Sequence, residues 1–167
     1  DLPYFAQNGF LASLTDLGYS PDPDFVQRAL EDAMWPPPIG PRLPGVSKDA
    51  EPEIYGLPSL GNVLLFWYRK DILTDEDVST LDNFIAAIKA KADPANGLYG
   101  LALRGQRGDP VEVDFEPWLY AYGSKVFDDD WNIAFNSPEG VEALTALLDL
   151  MPLAPPGAAN FGSDEAG

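Results

Sequence analysis

The chain has 167 residues, with 27 Asp and Glu against 10 Lys and Arg and a formal charge of −17; a chain of this length buries roughly 70% of the surface its unfolded form exposes. That charge repels a phosphate backbone and an anionic membrane surface, so nucleic acid is excluded as an expected partner. Cys and His are both absent, which removes disulfides, thiolate chemistry, the commonest metal ligand and the commonest general base; carboxylate chemistry or binding without chemistry remains, with no cofactor or metal expected.

Along the chain, Phe25, Ala29, Leu30 and Ala33 recur at helical spacing after Pro21-Asp22-Pro23-Asp24 and predict a helix over 23–34. Six prolines between Pro36 and Pro52 exclude helix and central strand, so that segment is expected to be irregular. The apolar run in Ile54–Tyr68 suits a strand buried on both faces, split in two by Gly56, Pro58 and Gly61. Its longest unbroken apolar stretch, Val63 to Tyr68, is far below the ~20 residues that span a bilayer.

Thr80 is placed to cap a helix bearing Leu81, Phe84, Ile85, Ile88 and Ala92 on one face. Leu98 to Leu103 reads as a short strand, 115–122 as a helix capped by Asp114 with Pro117 in its first turn, and Trp131 to Phe135 as another strand. Ser137-Pro138-Glu139 starts a helix whose apolar positions Val141, Leu144, Leu147, Leu148 and Met151 end at Pro152. Strand and helix alternate, which predicts an α/β layer fold whose best-packed part is 62–151.

Three constellations invite chemistry. Glu112, Asp114 and Glu116, at steps of two, would line one face of a strand as the acid and base of a glycoside hydrolase; a solvated loop plus a helix cap explains the same spacing. Asp128-x-Asp130-x-Asn132 has the opening spacing of a calcium loop, but Ile133 stands where Gly is needed, and a solvated turn fits better. Gly105-Gln106-Arg107-Gly108 has the form of a backbone-clamping RNA loop, which the charge argues against. Arg104, Gln106 and Arg107 could instead hold a polyhydroxylated ligand beyond a strand end, with Trp118, Tyr120 or Tyr122 as an aromatic face.

Tyr55-Gly56-Leu57-Pro58, then Asn62, then Phe66-Trp67-Tyr68-Arg69-Lys70-Asp71 resembles the extracellular solute-binding proteins of sugar-type ABC transporters, whose Gly-x-Pro strand leads into a Tyr-Asn-Lys-Asp-like turn; Arg69 stands where Asn is usual. Gly9-Phe10-Leu11-Ala12-Ser13-Leu14, Gly100 to Gly105, Asn136 to Leu144 and Pro155-Pro156-Gly157 are similar to further family stretches in the same order. The resemblance implies a periplasmic-binding-protein-like fold of two α/β lobes, of which this chain is expected to be an internal piece: 1–57 the end of the first lobe's excursion and the crossover, 58–167 most of a C-terminally truncated second lobe.

It further implies a non-enzymatic protein, periplasmic or extracellular, that closes on a sugar or polyol and delivers it to a membrane permease. Asn62 and Ser59 after the hinge strand, Arg104, Gln106 and Arg107 in the strand-end loop, and the aromatic Trp118 are the expected ligand residues, with Asn62, Arg104 and Gln106 on one concave surface. Catalytic and metal-binding residues are expected to be none. Self-association of the chain through residues 1–60 is also expected, because a missing lobe would uncover apolar surface. A carbohydrate-active hydrolase using Glu112 to Glu116 is the alternative.

Overall fold

A computed structural model describes residues 2–41, 44–61 and 63–165. It divides into two compact units, Asp1–Leu65 and Phe66–Gly167, each built differently.

In the first unit, helix α1 (Leu2–Gln7) buries Ala6 and packs against strand β1 (Met34–Trp35). Strand β2 (Glu53–Ile54) runs antiparallel to β1, with Met34 opposite Ile54 and Trp35 opposite Glu53. The Tyr55 amide continues the pairing by donating to the Ala33 carbonyl at 3.0 Å. Ile54 is tied twice more: its N–H donates to Thr15 Oγ1 at 3.0 Å and its carbonyl accepts from the Leu14 amide at 2.7 Å. Leu30, Ala33, Trp35 and Ile54 form the buried apolar centre.

The expected helix over 23–34 shrinks to α2 (Gln27–Glu31). Two local choices shorten it. The Asp22 carboxylate accepts from the Asp24 amide at 2.9 Å, closing a turn in place of a helix cap, and Met34 leaves helical geometry to join the ribbon. Residues 36–52 carry neither helix nor strand where described, as the proline density requires.

The larger correction concerns Ile54–Tyr68. Beyond Ile54 no residue of the run enters a ladder among the described residues. Leu60, Val63 and Trp67 are 76%, 77% and 83% exposed. A strand buried on both faces needs partner strands at its edges and layers over its faces, and the described residues supply neither to it.

In the second unit, helix α3 (Leu81–Lys91) begins as expected, with Thr80 Oγ1 accepting from the Asn83 amide at 3.1 Å. Its last-turn Lys91 donates to the Ile72 carbonyl at 3.1 Å and to Asp77 Oδ2 at 2.6 Å, clipping the preceding loop to the helix. Helix α4 (Asp109–Ala121) starts six residues before the expected helix over 115–122. Pro110 in its first turn and the acidic Asp109 and Glu112 suit that earlier start, and Pro117 therefore sits in the helix interior. With no N–H on Pro117, the Val113 carbonyl lacks its ordinary helical donor.

Helix α5 (Pro138–Leu150) begins as expected, with Ser137 Oγ accepting from the Gly140 amide at 3.2 Å, but its buried stripe is Gly140, Ala143, Leu147 and Leu150. Of the expected face Leu147 is buried while Val141, Leu144 and Leu148 are exposed, because the small Gly140 and Ala143 let the helix approach its neighbours closely. It packs against α4, where Leu119 is 1% exposed. Gly140 has no room for a side chain, since a Cβ there would stand 1.9 Å from the Phe135 carbonyl oxygen. The two strands expected in this unit reduce to single bridges, Asp93 with Leu98 and Phe127 with Ile133. Short apolar segments extend without laddering when no neighbouring strand completes their hydrogen bonds. No described helix is long and apolar enough to cross a membrane.

Candidate functional site

The segment after Leu103 is the best-constructed polar feature among the predicted site residues. Leu103 is 7% exposed and anchors the segment's start. Next, the Arg104 amide donates to Asp114 Oδ2 at 2.6 Å, while Nε and Nη2 donate to Asp114 Oδ1 at 2.9 and 2.7 Å. One carboxylate on α4 thus receives a backbone and two guanidinium donors, and the Asp114 contact raises the Arg104 pKa further above its ordinary value.

The carboxylate arrangement expected for a hydrolase is corrected by α4. Glu112, Asp114 and Glu116 lie on a helix, where Asp114 points about 200° around from Glu112, while Glu112 and Glu116, four residues apart, share the other face; the three do not line one face as they would on a strand. Asp114 lies inside the helix and does not cap it; it holds Arg104.

Gly105 follows where only glycine fits. Its amide donates to the Ala158 carbonyl at 3.1 Å, and a Cβ would meet that oxygen and the Ala159 Cα at 2.5 Å each. Gln106 donates its amide to the Phe161 carbonyl at 3.0 Å and accepts from the Val111 amide at 3.2 Å. The loop is therefore stapled on one side to α4 and on the other to the 158–161 turn, while the Gln106 and Arg107 side chains stay exposed. Backbone rigidity beneath exposed amide and guanidinium groups suits recognition of hydroxyls, because little ordering remains to be done on binding.

Trp118, one turn beyond Asp114 on α4, is half-buried in an aromatic row. Its ring centroid lies 6.5 Å from that of Phe84, which meets Phe66 edge-on at 4.7 Å; Phe66 stacks on Tyr68 at 6.0 Å. Such rings gain from their quadrupoles as well as from burial. Tyr68 donates from its hydroxyl to Asp75, and Arg69 bridges to Asp71, Nε to Oδ1 at 3.1 Å, so the basic residue in the Tyr-Arg-Lys-Asp turn is held locally. Ser59 is exposed in the first unit, in no regular element. Asn62 lies outside the described residues.

At the other sequence constellation, the Asp128 carboxylate accepts from the Asp130 amide at 2.9 Å and the Asn132 amide at 2.8 Å, which makes it the organiser of a turn. No group of three or more acidic residues among the described residues is placed to hold a metal ion. The Asp114 pin on Arg104 escapes the sequence reading: ten residues separate the partners and only the placement of α4 joins them.

Comparison with known proteins gives the family. The model of the bacterial extracellular solute-binding proteins matches residues 1–167. A mannitol-binding protein of Pseudomonas aeruginosa is 29% identical over 122 residues, which cover 67% of this chain and 27% of that protein. A solute-binding protein of an ABC transporter from Thermotoga lettingae, solved with α-D-tagatose, superposes with a TM-score of 0.69 at 22% identity, covering 98% of this chain and 41% of that one. Another from Agrobacterium radiobacter K84, solved with ribitol, gives a TM-score of 0.59 at 26% identity over 96% and 39% of the two chains. The chain spans 24%, 27% and 39% of the length of three curated relatives. The shared backbone course is that of the periplasmic-binding-protein fold, an α/β architecture. With the match running the whole length of the sequence, the chain belongs to the bacterial extracellular solute-binding protein family.

Proposed function

We propose that the chain is part of a two-lobed, non-enzymatic protein that binds a sugar or polyol outside the cytoplasmic membrane and delivers it to an ABC transporter permease. The observation that carries this reading is the family match over residues 1–167, beside structural neighbours solved with tagatose and ribitol. On this reading 1–57 belongs to the first lobe and the crossover, and 58–167 to the second lobe. The hydrolase alternative loses its support, since Asp114 is engaged by Arg104 and projects from the opposite side of α4 to Glu112 and Glu116.

Within the second unit, Gln106 and Arg107 provide exposed hydrogen-bonding groups, and Arg104 acts mainly by fixing the loop that carries them. Trp118 supplies aromatic surface on the same helix as Asp114. Ser59 and Asn62 complete the proposed set. Closure around the ligand biases an open–closed equilibrium through contacts made only in the closed form, and the permease reads the closed state. Because a ligand in a cleft is buried from several sides, the chain alone binds weakly and the complete protein tightly. Exposed apolar residues such as Leu60 and Val63 favour self-association of the chain through residues 1–60 and their neighbours.

Calorimetric titration with tagatose, ribitol and mannitol tests this. The complete protein is expected to bind at least one at micromolar or tighter affinity, and the 167-residue chain in the millimolar range or not at all. Absence of binding of any sugar or polyol by the complete protein overturns the reading. In the complete protein Asp114→Asn, which frees the Arg104 loop, weakens binding about tenfold.

A further inference from the structure

The first unit contains a second feature that the sugar reading does not use. The β1–β2 ribbon sets Trp35 directly opposite Glu53, and Tyr55 continues two residues along the same side. Together with Gln7 from α1 and with Val46 and Glu51 from the long loop, these residues line a concavity of about 400 Å³. That volume is within the ~300–1,000 Å³ range of small-molecule sites.

Its chemistry is one-sided. Two glutamates, Glu51 and Glu53, line the space together with Trp35 and Tyr55, and neither Lys nor Arg is among the described lining residues. The Tyr55 hydroxyl donates to Glu53 Oε2 at 3.3 Å, which orients that carboxylate from one side, and no side chain among the described residues donates to its second oxygen. Burial first, and then the Glu53 charge, push the Tyr55 pKa up, so the phenol remains a donor at neutral pH. An anion is repelled here. A neutral polyol would satisfy hydroxyl contacts but leave both negative charges uncompensated, whereas a cation offsets them and meets the aromatic rings favourably.

We propose that this concavity is a binding site for a small organic cation, an ammonium group on a short apolar body, with Glu51 and Glu53 as its charge partners and Trp35 and Tyr55 as its aromatic wall. The site lies wholly within the first unit. It is therefore independent of the sugar contacts assigned to the Arg104 loop.

The test uses the 167-residue chain and n-butylammonium chloride, with n-butanol as its uncharged counterpart and erythritol as a polyol, followed by the NMR shifts of the Glu51 to Tyr55 amides. Saturable shifts in the millimolar range or below are expected for butylammonium alone. Glu51→Gln and Glu53→Gln should each weaken it about tenfold, as expected for loss of a charge-assisted contact. Raising salt from about 0.05 M to 0.5 M should weaken it further. Equal binding of n-butanol or erythritol, affinity unchanged within about twofold in the Gln variants, or no saturation by about 100 mM butylammonium would overturn the proposal. Glu53 belongs to the ribbon, so a circular dichroism spectrum accompanies its variant. If that variant does not fold, Glu51→Gln, on the exposed loop, decides the matter alone. Failure here leaves the sugar reading untouched, because that reading is followed at Arg104 to Arg107.

Discussion

Helix α5 and the run from Leu57 to Trp67 are both rich in Leu and Val, yet one buries Ala143, Leu147 and Leu150 while the other leaves Leu60, Val63 and Trp67 more than three-quarters exposed. The difference is where their hydrogen bonds go. A helix satisfies its own backbone and needs one neighbour for one stripe, which α4 provides within twenty residues of sequence separation. A strand satisfies nothing by itself; every amide and both faces wait for partners from elsewhere in the chain. Apolar content alone therefore forecasts burial only where the partners are close at hand.

The largest effect is expected where α5 has least freedom. Gly140→Ala places a methyl against the Phe135 carbonyl, a backbone atom that cannot swing away as a side chain would. Overpacking of this kind costs about 3 kcal/mol, read as a lower urea midpoint for the second unit with unchanged slope. A midpoint equal to that of the parent chain would show that the 135–140 turn repacks freely, and that α5 is no better determined than the apolar run.

Smaller by a step is the cap. Ser137 Oγ accepts from the Gly140 amide and lies 3.0 Å from Ser124 Oγ, itself on a residue only 8% exposed. Ser137→Ala removes both contacts and costs about 1 kcal/mol. The loss should fall on amide exchange in the first turn of α5. Equal protection in both proteins would mean that the helix start is held by packing alone.

The apolar run should respond in the opposite manner. Val63→Thr with Trp67→Ser changes the stability of the chain by less than about 0.5 kcal/mol, because both side chains are already in water. The same pair of changes should lower the sedimentation-average mass if the run mediates self-association. A stability loss several times larger would show that Val63 and Trp67 are buried in solution.

This contrast also explains how much was legible. The Thr80 and Ser137 caps, the periodic face of α3 and, where described, the irregular 36–52 segment depend on residues within a few positions of one another, and they stand as read; α5 instead turns Gly140, Ala143, Leu147 and Leu150 inward and leaves the expected Val141, Leu144 and Leu148 exposed. α2 was over-extended because Asp22 has a competing local use, and α4 was begun late because Asp114, a plausible cap, is held by Arg104. The strands at 98–103 and 131–135 failed for the reason that the Leu57–Trp67 run failed. Of the proposed site, the exposure of Gln106 and Arg107 follows from a turn-like sequence, whereas the Arg104–Asp114 pin needed the fold. The cleft at Glu51 and Glu53 was invisible, since α1, the ribbon and the long loop converge only in space.

Between these extremes lies Asp77, whose local turn is readable and whose distant partner is not. Its carboxylate accepts from the Thr74 amide at 2.7 Å and the Thr74 hydroxyl at 2.8 Å, contacts three residues away, and from Lys91 at the far end of α3. The Lys91 contact first, then those of Thr74, hold the Asp77 carboxyl down at about 2, against 3.8 for an ordinary aspartate. The folded form thus binds this proton less readily than the unfolded chain, and the stabilisation is complete above pH about 4 and fades as pH falls through about 2. Asp77→Asn should accordingly be less stable than the parent at neutral pH, by the smallest margin of the series because the pair is solvent-accessible, and the gap should close in acid. Lys91→Met separates the two contributions: it should remove most of the pH dependence and leave the Thr74 turn intact. Urea midpoints between pH 2 and 6 provide the comparison. A gap that persisted undiminished at pH 2 would show that Asp77 acts through its shape in the turn and not through its charge.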